Sequence, residues 1–70
     1  MKIGNKGVKD LRKHENWVIG VRVELNRKTT IDGRIIYVVV ITNLHSGKHY
    51  KVRVYNGISG AWNYYKEAIA

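Results

Sequence analysis

Seventy residues with thirteen Lys and Arg against five Asp and Glu, a net charge of +8 and a pI near 10.1, describe one small and strongly basic domain. The absence of cysteine excludes disulfides and thiolate metal sites, and an apolar content of 44% excludes a disordered basic tail. No apolar run approaches the roughly 18 residues that cross a bilayer, so no membrane partner is expected.

Met1-Lys2-Ile3-Gly4-Asn5-Lys6 lacks the apolar stretch of a secretory signal, which makes the cytoplasm the expected location. A domain this short hides only about 60% of the surface its unfolded chain exposes. Either its core is unusually apolar, or a second copy helps to cover it.

Residues 1–16 are polar and basic, and Gly4 and Gly7 argue against regular structure before Val8. They read as a basic arm, with Lys9, Arg12 and Lys13 free to follow phosphates, ahead of a sheet-plus-helix domain over residues 17–70. In residues 17–25 the odd positions are apolar from Trp17 to Leu25, while Gly20, Arg22 and Glu24 alternate with them. A period of two predicts a half-buried strand. Asn26–Thr30 then continues the strand or bulges as a basic loop, and Asp32-Gly33 predicts a two-residue hairpin turn, because both positions tolerate positive φ.

Residues 34–44 are almost entirely β-branched and predict a central strand covered on both faces. Ser46-Gly47 marks the next turn, and residues 48–56 alternate again. Beyond Asn56-Gly57 the period changes. Ser59 is a candidate cap, and Ala61, Trp62, Tyr65, Ala68 and Ile69 share one face of a helix. The expected fold is α+β: a three-stranded antiparallel sheet packed on one C-terminal helix, preceded by the basic arm.

A tight turn at Asp32-Gly33 sets Leu25 opposite Val40 and Val23 opposite Thr42. A three-residue loop at His45-Ser46-Gly47, with Gly47 left-handed, sets Val40 opposite Val52 and Val38 opposite Val54. Both registers choose the even positions of the central strand for the core. That core collects Trp17, Ile19, Val21, Val23, Leu25, Ile36, Val38, Val40, Tyr50, Val52 and Val54 beneath Trp62, Tyr65 and Ile69 of the helix. The other face then carries Arg22, Glu24, Lys28, Tyr37, Val39, Ile41, His49, Lys51, Arg53 and Tyr55.

An apolar strip edged by cations marks a contact surface. Three covers fit it: a nucleic-acid groove, a second subunit, or the N-terminal segment folded back. For nucleic acid, Lys and Arg neutralise phosphates, Arg reads guanine edges, and Tyr37 and Tyr55 stack on unpaired bases. The candidate nucleic-acid-binding residues are therefore Arg22, Lys28, Tyr37, His49, Lys51, Arg53 and Tyr55, with Lys9, Arg12 and Lys13 on the arm.

The turn Asn43-Leu44-His45-Ser46-Gly47-Lys48, the basic strand after it, Ser59 and Ala61-Trp62-Asn63-Tyr64-Tyr65-Lys66-Glu67-Ala68 carry a resemblance over residues 34–70. The layout resembles the N-terminal arm-binding domain of phage tyrosine integrases and the plant ethylene-response-factor domain. That resemblance implies a sheet face, away from the helix, that enters the major groove and sets Arg22, Lys51 and Arg53 on DNA. The chain departs from both families at Val54-Tyr55-Asn56 and in its wholly apolar middle strand.

Catalysis has little to work with. Asp10, Glu15, Glu24, Asp32 and Glu67 are scattered over arm, strand, turn and helix. His14-Glu15-Asn16 lacks the spacing of a nuclease motif, and His45 and His49 flank a turn without the third ligand that zinc needs. No enzyme, cofactor, metal or small-molecule substrate is expected. The expected function is binding of nucleic acid, DNA favoured over RNA, by a protein of phage, plasmid or mobile-element type, nucleoid-associated if DNA is the target. The alternative is a small interaction or inhibitor protein that binds a protein target, or its own copy as a homodimer, through the same face.

Overall fold

A computed structural model describes residues 7–70 as an antiparallel sheet of order β1-β2-β3-β4 followed by one helix. The elements are β1 (Gly7–Asn16), β2 (Val21–Thr29), β3 (Ile35–Asn43), β4 (His49–Tyr55) and α1 (Ile58–Ile69). The α+β class stands, but the sheet has four strands where three were expected. The added strand comes from the segment read as an arm: residues 7–16 pair along β2 from Gly7↔Thr29 to Asn16↔Val21. Residues 1–6 of that segment lie outside the described residues. Residues 7–16 thus extend the sheet sideways, and β1 does not fold back over a face.

Two turns of one design hold the same end of the sheet. In Asn16–Gly20 the Asn16 side chain accepts from the Val18 and Ile19 amides at 3.0 and 3.3 Å, and its carbonyl accepts from Gly20 N at 2.8 Å. In Asn43–Gly47 the Asn43 side chain accepts from the His45 and Ser46 amides at 2.8 and 3.2 Å, and its carbonyl from Gly47 N at 2.7 Å. Asn suits the first position because its amide oxygen stands in for a backbone acceptor. Gly closes each loop at a left-handed φ, +74° at Gly20 and +75° at Gly47. The first turn corrects the expected strand start. Trp17, Val18 and Ile19 sit at its tip, 62%, 94% and 66% exposed, and Trp17 and Ile19 are not core residues.

The hairpin between β2 and β3 decides which face is which. Its loop has three residues, Ile31-Asp32-Gly33, and the tight two-residue turn is not formed. Thr30 N donates to the Arg34 carbonyl at 2.8 Å, and Gly33 N to the Thr30 carbonyl at 3.0 Å, with Gly33 at φ +89°. The Thr30 hydroxyl also bonds the Asp32 carboxylate and accepts from Arg34 N at 3.0 Å. One extra loop residue shifts the register by one, so Leu25 pairs with Val39 and Val23 with Ile41. A one-residue shift sends the other set of side chains to the core.

Between β3 and β4 the expected pairings hold: Val40↔Val52 and Val38↔Val54. They arise differently, from a four-residue loop, closed by Asn43 N to the Lys48 carbonyl at 2.9 Å, and an irregularity between Ile41 and Thr42 that restores the register.

The core cluster therefore lies on the odd face of β2 and β3, while Val38 on the even face, expected inside, is buried as well. Val23, Leu25, Val39 and Ile41 meet Ala61 and Tyr65 of α1, all buried. Leu25, Val23 and Val39 are the largest fully buried side chains, and each contributes about 1.5–3 kcal/mol on burial. Tyr37 and Tyr55 pack against this cluster, whereas Val52 and Val54, expected inside, are 55% and 60% exposed. The helix begins from Gly57 in an extended conformation without a side-chain cap, so Ser59 lies in the first turn and is not the cap.

The two turns dock on each other: Leu44 N donates to the Gly20 carbonyl at 2.9 Å, and a Cβ on Gly20 would come within 2.5 Å of His45 Nε2. At Gly47 nothing lies within 4 Å of such a Cβ. Gly47→Ala should therefore lose only the left-handed backbone term, about 1–2 kcal/mol. Gly20→Ala should lose more, and His45→Ala should return part of the difference. Thermal unfolding of the three variants and the double mutant checks this; equal losses at the two glycines would contradict the docked turns.

Candidate functional site

The register sorts every strand side chain by face, because residues directly opposite each other point the same way. Lys51 pairs with Ile41 and Arg53 with Val39, so both cations share the side on which α1 lies. Arg12 pairs with Leu25 and Lys9 with Arg27, which places these three there too. Arg22 pairs with Thr42 and Lys28 with Ile36, on the opposite, open side. The expected binding front is therefore not formed as one surface. Arg22, Lys28, His49 and Lys13 belong to the open side; Lys9, Arg12, Tyr37, Lys51, Arg53 and Tyr55 belong to the helix side.

On the open side charge is balanced. Glu15 stands opposite Arg22 on β1 and β2, and the two carry a bond of 2.7 Å from Nε to Oε2. Asp10, Lys13, Glu24 and Lys28 share this side, as their pairings with β2 and β3 require. The Arg22 hydrogen bond holds the Glu15 carboxyl below its usual range, against an opposing push from desolvation. On β3 and β4 the same side is apolar, with Ile36, Val38, Val40, Val52 and Val54. His49 is taken up by a 3.0 Å hydrogen bond between its Nδ1 and the Thr42 hydroxyl.

The helix side differs in kind. Lys9, Arg12, Arg27, Lys51 and Arg53 are all exposed, and none of them belongs to an ion pair among the described residues. No strand carboxylate shares that side. The cations line both flanks of α1. On the β1 flank the Arg12 guanidinium lies 5.7 Å from the Trp62 ring centroid, and Lys66 Nζ 5.9 Å from it. On the β4 flank the Arg53 guanidinium lies 5.2 Å from the Tyr64 ring. Each such contact holds a long side chain upright beside the helix, for about 0.5–1 kcal/mol at an exposed site. Between the flanks the helix exposes Ser59, Asn63, Lys66 and Glu67.

Beside the Arg12 flank runs a groove of about 380 Å³ lined by Leu11, Arg12, Leu25, Ile58 and Trp62. Leu11 reaches it because the β1 register shifts between Asp10 and Arg12. Tyr37 and Tyr55 are half-buried against the core and Tyr55 leans on Tyr64, with ring centroids 6.1 Å apart, so neither is a free stacking platform. Arg27, Trp62 and Lys66 were not among the expected site residues. The signal for Arg27 was its odd position in a strand that runs on to Thr29.

Among the described residues no group of three or more His, Asp or Glu could hold a metal ion, and no helix is long and apolar enough to cross a membrane. No family model, curated protein or solved structure matches this chain.

Glu15 titrates below its ordinary range when folded. Its stabilising contribution is therefore in place above the unfolded value and is lost as pH falls through the lowered one. Arg22→Ala should move the Glu15 midpoint up toward that of a free carboxyl, followed by its carboxyl carbon shift against pH. An unmoved midpoint would contradict the pair.

Proposed function

We propose that the protein binds nucleic acid through the helix side of the sheet, with the cations on the flanks of α1 engaging phosphates. The supporting observation is the segregation of charge. The strand carboxylates Asp10, Glu15 and Glu24 sit on the open side with Lys13, Arg22 and Lys28, while Lys9, Arg12, Arg27, Lys51 and Arg53 stand together on the helix side, where Glu67 of α1 is the single side-chain carboxylate among the described residues. Gathering like charges on one surface strains a small domain, and that strain is relieved when a polyanion releases its counterions there.

Duplex DNA fits this surface better than duplex RNA. Three strand spacings separate β1 from β4, about 14 Å at the usual sheet geometry. A DNA major groove is about 12 Å wide and admits a helix, whereas the RNA major groove is deep and narrow. With α1 in the groove, Lys51 and Arg53 face one phosphate bank and Lys9, Arg12 and Arg27 the other. Asn63, mid-helix and exposed, has the donor-acceptor pair that matches adenine. The layout also agrees in its sheet-then-helix order with the integrase and ethylene-response-factor domains, but presents the opposite surface to DNA.

The test is a fluorescence titration with duplex and single-stranded DNA at several salt concentrations. Lys51→Ala with Arg53→Ala should weaken binding to duplex, and flatten the dependence of log affinity on log salt by about 0.9 per lost phosphate contact. Arg22→Ala with Lys28→Ala should leave both quantities nearly unchanged while circular dichroism shows both variants folded. A larger effect from the open-side pair would reject this surface.

A further inference from the structure

Among the described residues no helix or strand packs over the open side of the sheet, where Val38 and Thr42 are buried in the middle and Val52 and Val54 at the β4 edge stand exposed. On β3 Val38 is buried and Ile36 and Val40 are half-buried, while on β4 Val52 and Val54 are more than half exposed. Contiguous apolar surface of this kind marks a contact. On β1 and β2 it presents Asp10, Lys13, Glu15, Arg22, Glu24 and Lys28, three of each sign. A nucleic acid would meet as many carboxylates as cations there. A copy of the same surface carries no net charge on these six residues, so two copies meet without the repulsion that two helix sides would have.

We infer that this open side is a self-association surface, and that two copies pack sheet against sheet with their helices pointing outward. Sheets stack through β-branched faces at about 10 Å, and a two-fold axis makes the contact self-complementary.

Charge selects this geometry over pairing through the β4 edge. Pairing the free edges of two β4 strands about a two-fold axis keeps both helices on one side. That brings Lys51 and Arg53 of both copies together, and like charges across a strand pair oppose it. Packing through the open sides holds the two cationic surfaces apart, on opposite outer faces. Where those faces bind nucleic acid, which rests on the function proposed above, the dimer is bivalent and links two duplex segments.

Sedimentation equilibrium of the full chain, without nucleic acid, tests the interface separately from that function. The native chain should sediment as a concentration-dependent dimer. Val52→Glu with Val54→Glu, on exposed positions, should lose the dimer while keeping its circular dichroism. The chain has no cysteine, so a single introduced thiol reports geometry: Val54→Cys should be joined by a short bis-maleimide and Lys51→Cys should not. A native chain that stays monomeric at every concentration, a dimer that survives the double Glu variant, or cross-linking through Lys51→Cys alone would overturn the inference. So would loss of duplex affinity in the Glu variant of a monomeric chain, which would mark the open side as a nucleic-acid surface.

Discussion

The hairpin between β2 and β3 closes through Thr30 and Arg34 around a three-residue loop, and the odd number in that loop orders everything else. It sets Val23 and Leu25 beside Ile41 and Val39, which gives α1 one continuous apolar bed for Ala61 and Tyr65. It also assigns each charged residue of β2 and β4 to a side. Gly33 at φ +89° makes the loop possible, and the Thr30 hydroxyl holds it through the Asp32 carboxylate and the Arg34 amide. A loop shorter by one residue would exchange the two faces of β2 relative to β3.

With that parity set, electrostatics and packing divide the sheet between two tasks. The helix needs an apolar bed only about two strands wide, so the outer strands are free to carry cations beside it. Arg12 and Arg53 lie against Trp62 and Tyr64, where aromatic faces hold guanidinium groups without neutralising them. The carboxylates go to the open side, where Glu15 meets Arg22. Five strand cations thus share the helix side with no strand carboxylate, while exposed Val52 and Val54 lie on the other, which is the division that the two proposed contacts rest on.

Much of the architecture was legible in the residues. The three strands after residue 17, the C-terminal helix, the left-handed Gly47 and the pairing of Val40 with Val52 all follow from periodicity and turn chemistry. That last pairing held because two differences cancelled: the β3–β4 loop is one residue longer than expected, and β4 bulges by one. No such cancellation occurred at Asp32-Gly33, where either loop length satisfies the local chemistry, and the face assignment of Lys51, Arg53, Tyr37 and Tyr55 went with it. The strand β1 was masked because both its faces are polar and the irregularity at Leu11 breaks its period of two. The apolar Trp17-Val18-Ile19 hid a turn, although Asn16 and Gly20 repeat the spacing of Asn43 and Gly47.

The account depends on α1 lying over the odd positions of β3. Nuclear Overhauser contacts from the Tyr65 ring measure this directly. They should reach the methyl groups of Val39 and Ile41, with those of Val38 and Val40 silent. Contacts from Tyr65 to Val38 and Val40 would place the helix on the other face, return Lys51 and Arg53 to the side of Arg22, and contradict the segregation of charge on which both proposed surfaces rest.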